Sequence, residues 1–535
     1  MKRSAMILFL VVLLSVFTGC AKRGTPEGGP VDEAPPVFIR ARPENFSTNF
    51  DAREIRIYFD EFVKVTDPQR QIIISPPMDP RPEITPLGTA SKSIRIRIQD
   101  TLQPNTTYTV NFGRSIVDNN EGNPLEFFTY AFSTGSYIDS LTVTGRVSDA
   151  LLKLPDPYIS VMLYEVNSTY NDSVVYNEVP RYVTNTLDSA TTFQLKNLKE
   201  GTYQMVGMRD INNNYRFDPE TDKIAFRGDY ITLPTEEVFD LILFREVVSG
   251  KFNKPQLKAQ QHLIFGYQGE VSPDSLQIEL QNRPPEYQAV FTQDREKDTL
   301  HYWYKPALER DSLVFEVTTP YYSDTLVTRL RESDADSLEF SFSPSGAVNF
   351  DQEIYVLPSI PLVEVDSTRL RITDKDTVKV PFEGHYELWE NRYVLNFNRG
   401  EDQTYDILAL PGAFTDFFGN VNDTLRGQFR TLSYSDYGNL NITLGNVEDF
   451  PVILQLTDKE GKIIAETYST GETTLDFRHI KPGTYFLRLV YDRNSNREWD
   501  TGSFLQRRQP EEVVYFPDPI EVRANWDITQ GFILE

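Results

Sequence analysis

The feature that most limits what this chain can become is that it repeats itself. Tyr108-Thr109-Val110, Gly122-Asn123 and Phe132-Ser133-Thr134 recur as Tyr405-Asp406-Ile407, Gly419-Asn420 and Phe429-Arg430-Thr431, at a constant offset of 297 residues. A second block, Gly201-Thr202-Tyr203 followed by Asp210, Asn212, Asn214 and Asp218, recurs as Gly483-Thr484-Tyr485 followed by Asp492, Asn494, Asn496 and Asp500, at an offset of 282. Two different blocks repeated in the same order imply separately packed modules. The order is A, B, a middle piece, A, B, with boundaries at 37–135, 136–248, 249–339, 340–433 and 434–535.

Within the modules the side-chain period is two. Ile55-Arg56-Ile57-Tyr58-Phe59 and Ile94-Arg95-Ile96-Arg97-Ile98 alternate apolar with polar, and runs like these are bounded by Pro, Gly, Asn and Asp. Such runs are half-buried strands, and many short strands with frequent turns make sandwiches or barrels. The expected fold is all-β: tandem antiparallel β-sandwich modules in an elongated chain. With 35 Phe and 28 Tyr there is ample material for cores, and with a single Cys there are no disulfides, so the cores must hold the modules.

That single cysteine has a place of its own. Met1-Lys2-Arg3-Ser4 is a basic start, Ala5 to Phe17 is an apolar stretch too short to span a bilayer, and Phe17-Thr18-Gly19-Cys20 follows. The pattern resembles a bacterial lipobox, with Phe17 where leucine is usual. The resemblance implies removal of the signal peptide 1–19, thioether lipidation of Cys20 and anchoring by two or more acyl chains. Ala21 is not the aspartate of an inner-membrane retention signal, so the outer membrane is the expected location; which face the protein occupies stays open. Residues 20–36, rich in Gly and Pro, read as a lipidated flexible tether. The net charge of −25 argues against coating of nucleic acid and, taken as a whole-chain charge, also against binding anionic lipid surfaces.

Module A resembles the SbsA-type bacterial Ig-like domain. The resemblance rests on Pro35-Pro36, Ile57-Tyr58-Phe59-Asp60-Glu61, Leu102-Gln103-Pro104-Asn105-Thr106-Thr107-Tyr108, Asp118 through Gly122-Asn123-Pro124, and Phe132-Ser133-Thr134-Gly135. In 340–433 only the latter half of the pattern is kept. Module B resembles the transthyretin-like group with its carboxypeptidase-regulatory-like members, through Gly145-Arg146-Val147, Asp149, Val161-Met162-Leu163-Tyr164, and Phe193-Gln194-Leu195 leading to Leu198-Lys199-Glu200-Gly201-Thr202-Tyr203. The whole order is similar to Ig-like lipoproteins of Bacteroidota-type envelopes, which implies spacer or adhesion units and no chemistry.

Two sets of residues invite a chemical reading. Asp210, Asn212, Asn214 and Asp218, repeated as Asp492, Asn494, Asn496 and Asp500, have the spacing of oxygen ligands in a calcium loop. The turn glycine is replaced by Tyr215 and Arg497, and the bidentate glutamate by Thr221 and Ser503. The other reading is an Asx-rich loop whose side chains bond their own backbone. The turn of Asp118, Gly122 and Asn123, with Asp416, Gly419 and Asn420, reads as structural. The second set is Asp-Ser/Thr-apolar: Thr101, Ser140, Ser275, Ser312 and Thr424 are the middle hydroxyls of motifs that resemble the O-glycosylation signal of Bacteroidota-type envelope proteins, or else polar turns feeding strands.

His262, His301, His385 and His479 are scattered without zinc spacing, and the usual hydrolase and nucleotide motifs are missing. The expectation is therefore a non-enzymatic, outer-membrane-anchored scaffold or interaction lipoprotein, accessory to envelope assembly or secretion machinery. Its partners would be the membrane, through its lipid, and a protein of the outer membrane, with no nucleic acid and no small-molecule substrate. The alternative is a carbohydrate-binding or adhesion lipoprotein, with Tyr302-Trp303-Tyr304 as a candidate aromatic cluster for stacking on sugars.

Overall fold

A computed structural model describes residues 33–187, 191–248, 250–320 and 322–534. The chain is all-β, and it divides into two compact units that part between Asp139 and Ser140. Among the described residues no helix is long and apolar enough to cross a membrane.

The first unit is one sandwich. One sheet runs Phe38–Arg42, Glu54–Val65, Ser91–Arg97, Glu83–Thr85, with Ile116–Asp118 on the far end of Glu54–Val65; the other runs Ile73–Ser75, Thr107–Asn111, Thr129–Ser133. The alternation seen in the sequence decides the faces: Ile55, Ile57 and Phe59 are buried with Ile94 and Ile96, while Arg56, Arg95 and Arg97 are exposed. Tyr108, Phe112, Tyr130 and Phe132 fill the space between the sheets.

Its tightest corner is built by one carboxylate. Asp118, 2% exposed, ends a strand. Its Oδ1 accepts the backbone N–H groups of Asn120, Glu121 and Gly122 at 2.8, 2.7 and 3.0 Å, and its Oδ2 accepts that of Asn123 at 2.8 Å. Gly122, at φ 84°, supplies the left-handed step the turn needs. The equivalent Asp416 ends strand Phe414–Asp416 and makes the same turn with one residue fewer. The closing bond runs from Asp118 N to Asn123 O in one copy and from Asp416 N to Asn420 O in the other.

The second unit holds four further sandwiches. The second sandwich has sheets Tyr182–Asn185, Ser160–Glu165, Gly201–Arg209, Lys223–Phe226 and Thr192–Leu198, Leu141–Asp149, Val238–Leu243. The fifth has Ile463–Ser469, Val452–Thr457, Gly483–Tyr491, Val513–Tyr515 and Thr474–Ile480, Gly438–Gly445, Asp527–Ile533. In both, the last strand closes its sheet by pairing parallel with the first, Val238–Leu243 on Leu141–Asp149 and Asp527–Ile533 on Gly438–Gly445. The repeat in the sequence is thus a repeat of topology. Where that pairing is tightest there is no room for a side chain: a Cβ on Gly145 would stand 2.2 Å from the Phe239 carbonyl and 2.4 Å from the Phe193 ring. Gly145→Ala is expected to cost at least the roughly 1–3 kcal/mol of core overpacking, read as a lower denaturant midpoint at unchanged slope.

The middle residues form a third sandwich of Lys251–Phe252, His262–Gln268, Thr299–Lys305, Gln288–Gln293 against Gln277–Leu280, Ser312–Thr319, Tyr322–Arg329. The fourth is built from Phe340–Ser343, Ile354–Pro358, Arg392–Asn396, Glu383–Glu387 and a five-stranded sheet centred on Thr404–Ala409.

Candidate functional site

Some strands of the second and fifth sandwiches do not alternate. Ser160–Glu165 is buried at five consecutive positions, and all six residues of Val452–Thr457 are buried. A strand buried on both faces carries a continuous apolar run because each face has its own cover. Inward-facing Val161, Leu163, Tyr203 and Met205 belong to the core of the second sandwich. Met162, Gln204, Val206 and Met208 point the other way and are equally buried. The fifth sandwich, about 300 residues away in the chain, reaches this face at Gln204, whose Oε1 accepts from Arg507.

The contact is made by an arm, residues 501–509, that leaves the fifth sandwich and seats on the second. Phe504 is fully buried, with its ring 5.3 Å from Phe226 in an edge-on packing and 6.4 Å from Tyr176. Its backbone N–H donates to the Glu246 carboxylate, whose burial pushes its carboxyl up. Arg507 forks onto both oxygens of Asp172 and donates to Gln204 Oε1, and its guanidinium lies 5.2 Å over the Phe504 ring. Thr501 Oγ1 donates to Arg245 O at 2.6 Å and Gln509 Nε2 to Phe226 O at 2.9 Å. Gly502 has no space for a Cβ, which would meet the Phe244 ring at 2.6 Å.

A second contact lies at the other end of the same face. Buried Arg488 donates from Nε to Gln455 Oε1 and from Nη1 to Leu151 O, both at 2.7 Å. Tyr515 donates its hydroxyl to the same Leu151 carbonyl, and Lys153 donates to the carbonyls of Phe516 and Pro517. The two sandwiches are therefore joined by an apolar plug, a bidentate ion pair and a series of side-chain-to-backbone hydrogen bonds.

The repeated Asp/Asn loops flank this contact. In the fifth sandwich Asp492, fully buried, accepts Asn496 N and Arg497 N; the side-chain amides of Asn494 and Asn496 donate to Asp500 Oδ2 at 2.6 and 2.8 Å. Glu511 accepts Arg493 N and Asp500 N, and burial next to Asp500 and Asp492 raises its carboxyl. The arm begins at the next residue, so the loop is the base from which it projects. In the second sandwich Asp210 Oδ2 accepts Tyr215 N at 2.7 Å, Asn214 accepts Arg216 N, and Asp218 accepts Glu220 N. Asp222, which is fully buried, accepts Ile211 N and Asp218 N. Asn212 is exposed. Phe217, buried behind this loop, packs on Tyr176, which walls the Phe504 pocket. One copy of the motif braces the plug and the other braces its socket.

Of the oxygens a calcium ion would take, both of Asp492 are thus spent on the loop's own amides. Asp210 Oδ1 alone is buried without a hydrogen-bond partner. Burial, with Asp222 beside it, raises the Asp210 carboxyl despite the amides it accepts. Among the described residues no three His, Cys, Asp or Glu side chains are grouped to hold a metal ion.

The histidines are not as scattered as their numbers. His262 Nδ1 meets Asp336 Oδ2 at 2.5 Å, His262 Nε2 meets His301 Nδ1 at 2.9 Å, and His301 Nε2 meets Asp294 Oδ2 at 3.0 Å. Trp303 stacks on His262 at 4.3 Å. Burial pushes both imidazoles below their usual range, against the pull of their aspartates. The missed signal was strand pairing: His262 stands opposite Trp303 and Ile264 opposite His301 in neighbouring strands. The outer face of this sheet supports the fourth sandwich, where Trp303 clusters with Ile360 and Phe417 and Lys305 Nζ donates to Phe417 O at 2.6 Å. Tyr302 and Tyr304 face the opposite core, and all three aromatic residues are no more than 2% exposed. The cluster considered for sugar stacking is therefore internal.

Cys20 lies outside the described residues. Of the five candidate glycosylation hydroxyls, Thr101, Ser140, Ser312 and Thr424 are exposed, while Ser275 is half-buried and donates to Ser272 O at 3.3 Å. Leu276 leads into a strand, Leu141 and Leu425 start one, Ser312 is itself the first residue of one, and Leu102 is followed by a turn.

Residues 32–134 match the family of bacterial Ig-like domains. No curated protein matches the chain. Among solved structures, domains 1–6 of the surface layer protein SbsC are 11% identical over 91% of this chain and 67% of that one, with a TM-score of 0.16. Domains 4–9 of SbsC are 8% identical over 85% and 66%, at 0.19. The major pilin subunit of Bacillus cereus is 11% identical over 74% and 99%, at 0.14. Scores so far below 0.5 carry no argument about arrangement. The domain match and the sandwiches define a structural or interaction class of protein.

Proposed function

We propose that this chain is a non-enzymatic envelope lipoprotein, anchored by lipid on Cys20 in the outer membrane, that presents a rigid β-scaffold to a protein partner. Its second and fifth sandwiches are read as transthyretin-like modules and its first as an Ig-like spacer next to the tether. The observation that carries this reading is the clasp between the second and fifth sandwiches. The groups there with the most chemical potential (Arg507, Asp172, Glu246, Gln204, Arg488) are all spent on holding two modules together. A scaffold needs that stiffness, because a surface presented by independently moving modules loses binding free energy to their ordering.

The test has two arms. Mass spectrometry of the mature N-terminus is expected to find diacylglycerol, with or without a further acyl chain, on Cys20; a free thiol there would end the anchoring reading. Purification from gently solubilised membranes is expected to recover an outer-membrane protein in near-equal amount. Recovery of the chain alone would remove the scaffold reading and favour free adhesion.

A further inference from the structure

The charge of this chain is placed unevenly. From Cys20 to Gly135 there are thirteen Lys and Arg against fifteen Asp and Glu, while residues 136–535 carry thirty-eight against sixty-three, so nearly the whole negative surplus falls on residues 136–535. Within the first sandwich the arginines are gathered again, on the outer face of the sheet that begins at Phe38. Arg42 stands opposite Arg56, and Arg56 stands opposite Arg95, which makes a row of three across adjacent strands. Arg40 lies 4.9 Å over the Tyr58 ring, and Arg97 ends the face opposite Glu54 and Glu83. All five arginines are exposed. Among the described residues only Arg56 has a carboxylate in contact, Glu54 at 2.6 Å.

Folding does not ask for this. The buried side of these strands is satisfied by Ile55, Ile57, Ile94 and Ile96, whatever alternates with them. Like charges directly opposite on a sheet are destabilising, and neighbouring strands are only about 4.8 Å apart. Glu54 pairs with the central arginine of the row, and Arg40, Arg42, Arg95 and Arg97 have no carboxylate within ion-pair distance among the described residues; such a row in register is a surface shaped for anions, since a guanidinium presents two parallel donors to a phosphate.

We propose that this arginine face docks on the anionic phospholipid headgroups of the membrane that holds the chain. The inference rests on the reading of Cys20 as the lipid anchor. Residues 21–36 lie between that cysteine and the sandwich, and sixteen residues reach at most about 55 Å, so the face is held where it can meet the headgroups. The acidic residues 136–535 are repelled by the same surface, which leaves this face as the one presented.

The experiment uses the mature chain, residues 20–535, carrying Cys20→Ser, so that neither an acyl group nor the apolar stretch Ala5–Phe17 contributes, in sedimentation with vesicles. One set is phosphatidylcholine alone and the other contains phosphatidylglycerol as a third of the lipid. Binding is expected only to the anionic vesicles and is expected to fade as salt shortens the screening length. Arg42→Glu, Arg56→Glu and Arg95→Glu combined are expected to weaken it at least about 100-fold, at roughly five-fold per arginine near the surface. Arg40→Gln and Arg97→Gln, each alone, are expected to weaken it about five-fold and keep the proposal testable should the triple variant not fold. Equal binding to both vesicle types, unchanged binding by the variants, or salt-sensitive self-association in place of vesicle binding would overturn it. Because the assay needs no lipid on Cys20, a failure of the anchoring reading shows in the mass of the N-terminus and not here.

Discussion

Phe504→Ala is expected to release the fifth sandwich from the second while leaving both folded. The ring is fully buried between Phe226 and Tyr176, outside the core of either sandwich. Truncating a buried Phe typically costs about 3–5 kcal/mol, and here the loss falls on the contact. Arg507→Glu attacks the same contact by charge, setting two carboxylates against each other where Asp172 now receives a bidentate pair. In hydrogen exchange, amides of the outer strands Lys223–Phe226 and Val513–Tyr515 are expected to lose protection, while Val143, Leu195, Leu440 and Phe477, in the opposite sheets, keep theirs. Global loss of protection in both variants would mean that the arm belongs to a single core and is no clasp.

Asp118→Ala is expected to destabilise the first unit by roughly 2–5 kcal/mol, because hydrogen bonds to a charged acceptor are worth more than neutral ones and four amides lose theirs together. The same carboxylate gives the unit an acid limb. Burial raises its pKa, but the amides of Gly122, Asn123, Glu121 and Asn120 outweigh burial and hold it below the ordinary value. The unfolded chain therefore binds the proton more tightly than the folded one. The stabilisation is complete above the ordinary Asp value near 3.9 and is lost as pH falls through the lower folded value. Asp118→Asn is expected to flatten that limb when exchange protection of Tyr130 and Phe132 is followed against pH. A limb unchanged by the substitution would place the acid response elsewhere.

The sequence made the sheets legible because one face of most strands is wet, and a wet face writes alternation into the chain. Ile94 to Ile98 could be placed residue by residue. The clasp was less legible for the same reason: strands covered on both faces lose their alternation, and Val161-Met162-Leu163-Tyr164 reads as a strand without saying what lies on its second side. Nothing near Asp172 in the chain announces Arg507. The spacing of the Asp/Asn loops reads either as a calcium site or as an Asx-rich loop, and it does not reveal Glu511, which lies outside the repeat and accepts the Arg493 and Asp500 amides. Tyr302-Trp303-Tyr304 reads in the sequence as a candidate cluster for stacking on sugars; alternation sends Tyr302 and Tyr304 into the core, and the neighbouring sandwich closes the Trp303 side.

The most direct measurement is amine cross-linking of the purified monomer followed by mass spectrometry. A Cβ on Gly461 would stand 3.3 Å from the Leu152 side chain, so the adjoining exposed Lys462 and Lys153 lie within reach of a short reagent only when the second and fifth sandwiches are clasped. A Lys153–Lys462 link is expected in the wild-type monomer and is expected to be lost in Phe504→Ala and Arg507→Glu. Its absence from the monomer, or its presence only in dimers, would contradict an intramolecular scaffold.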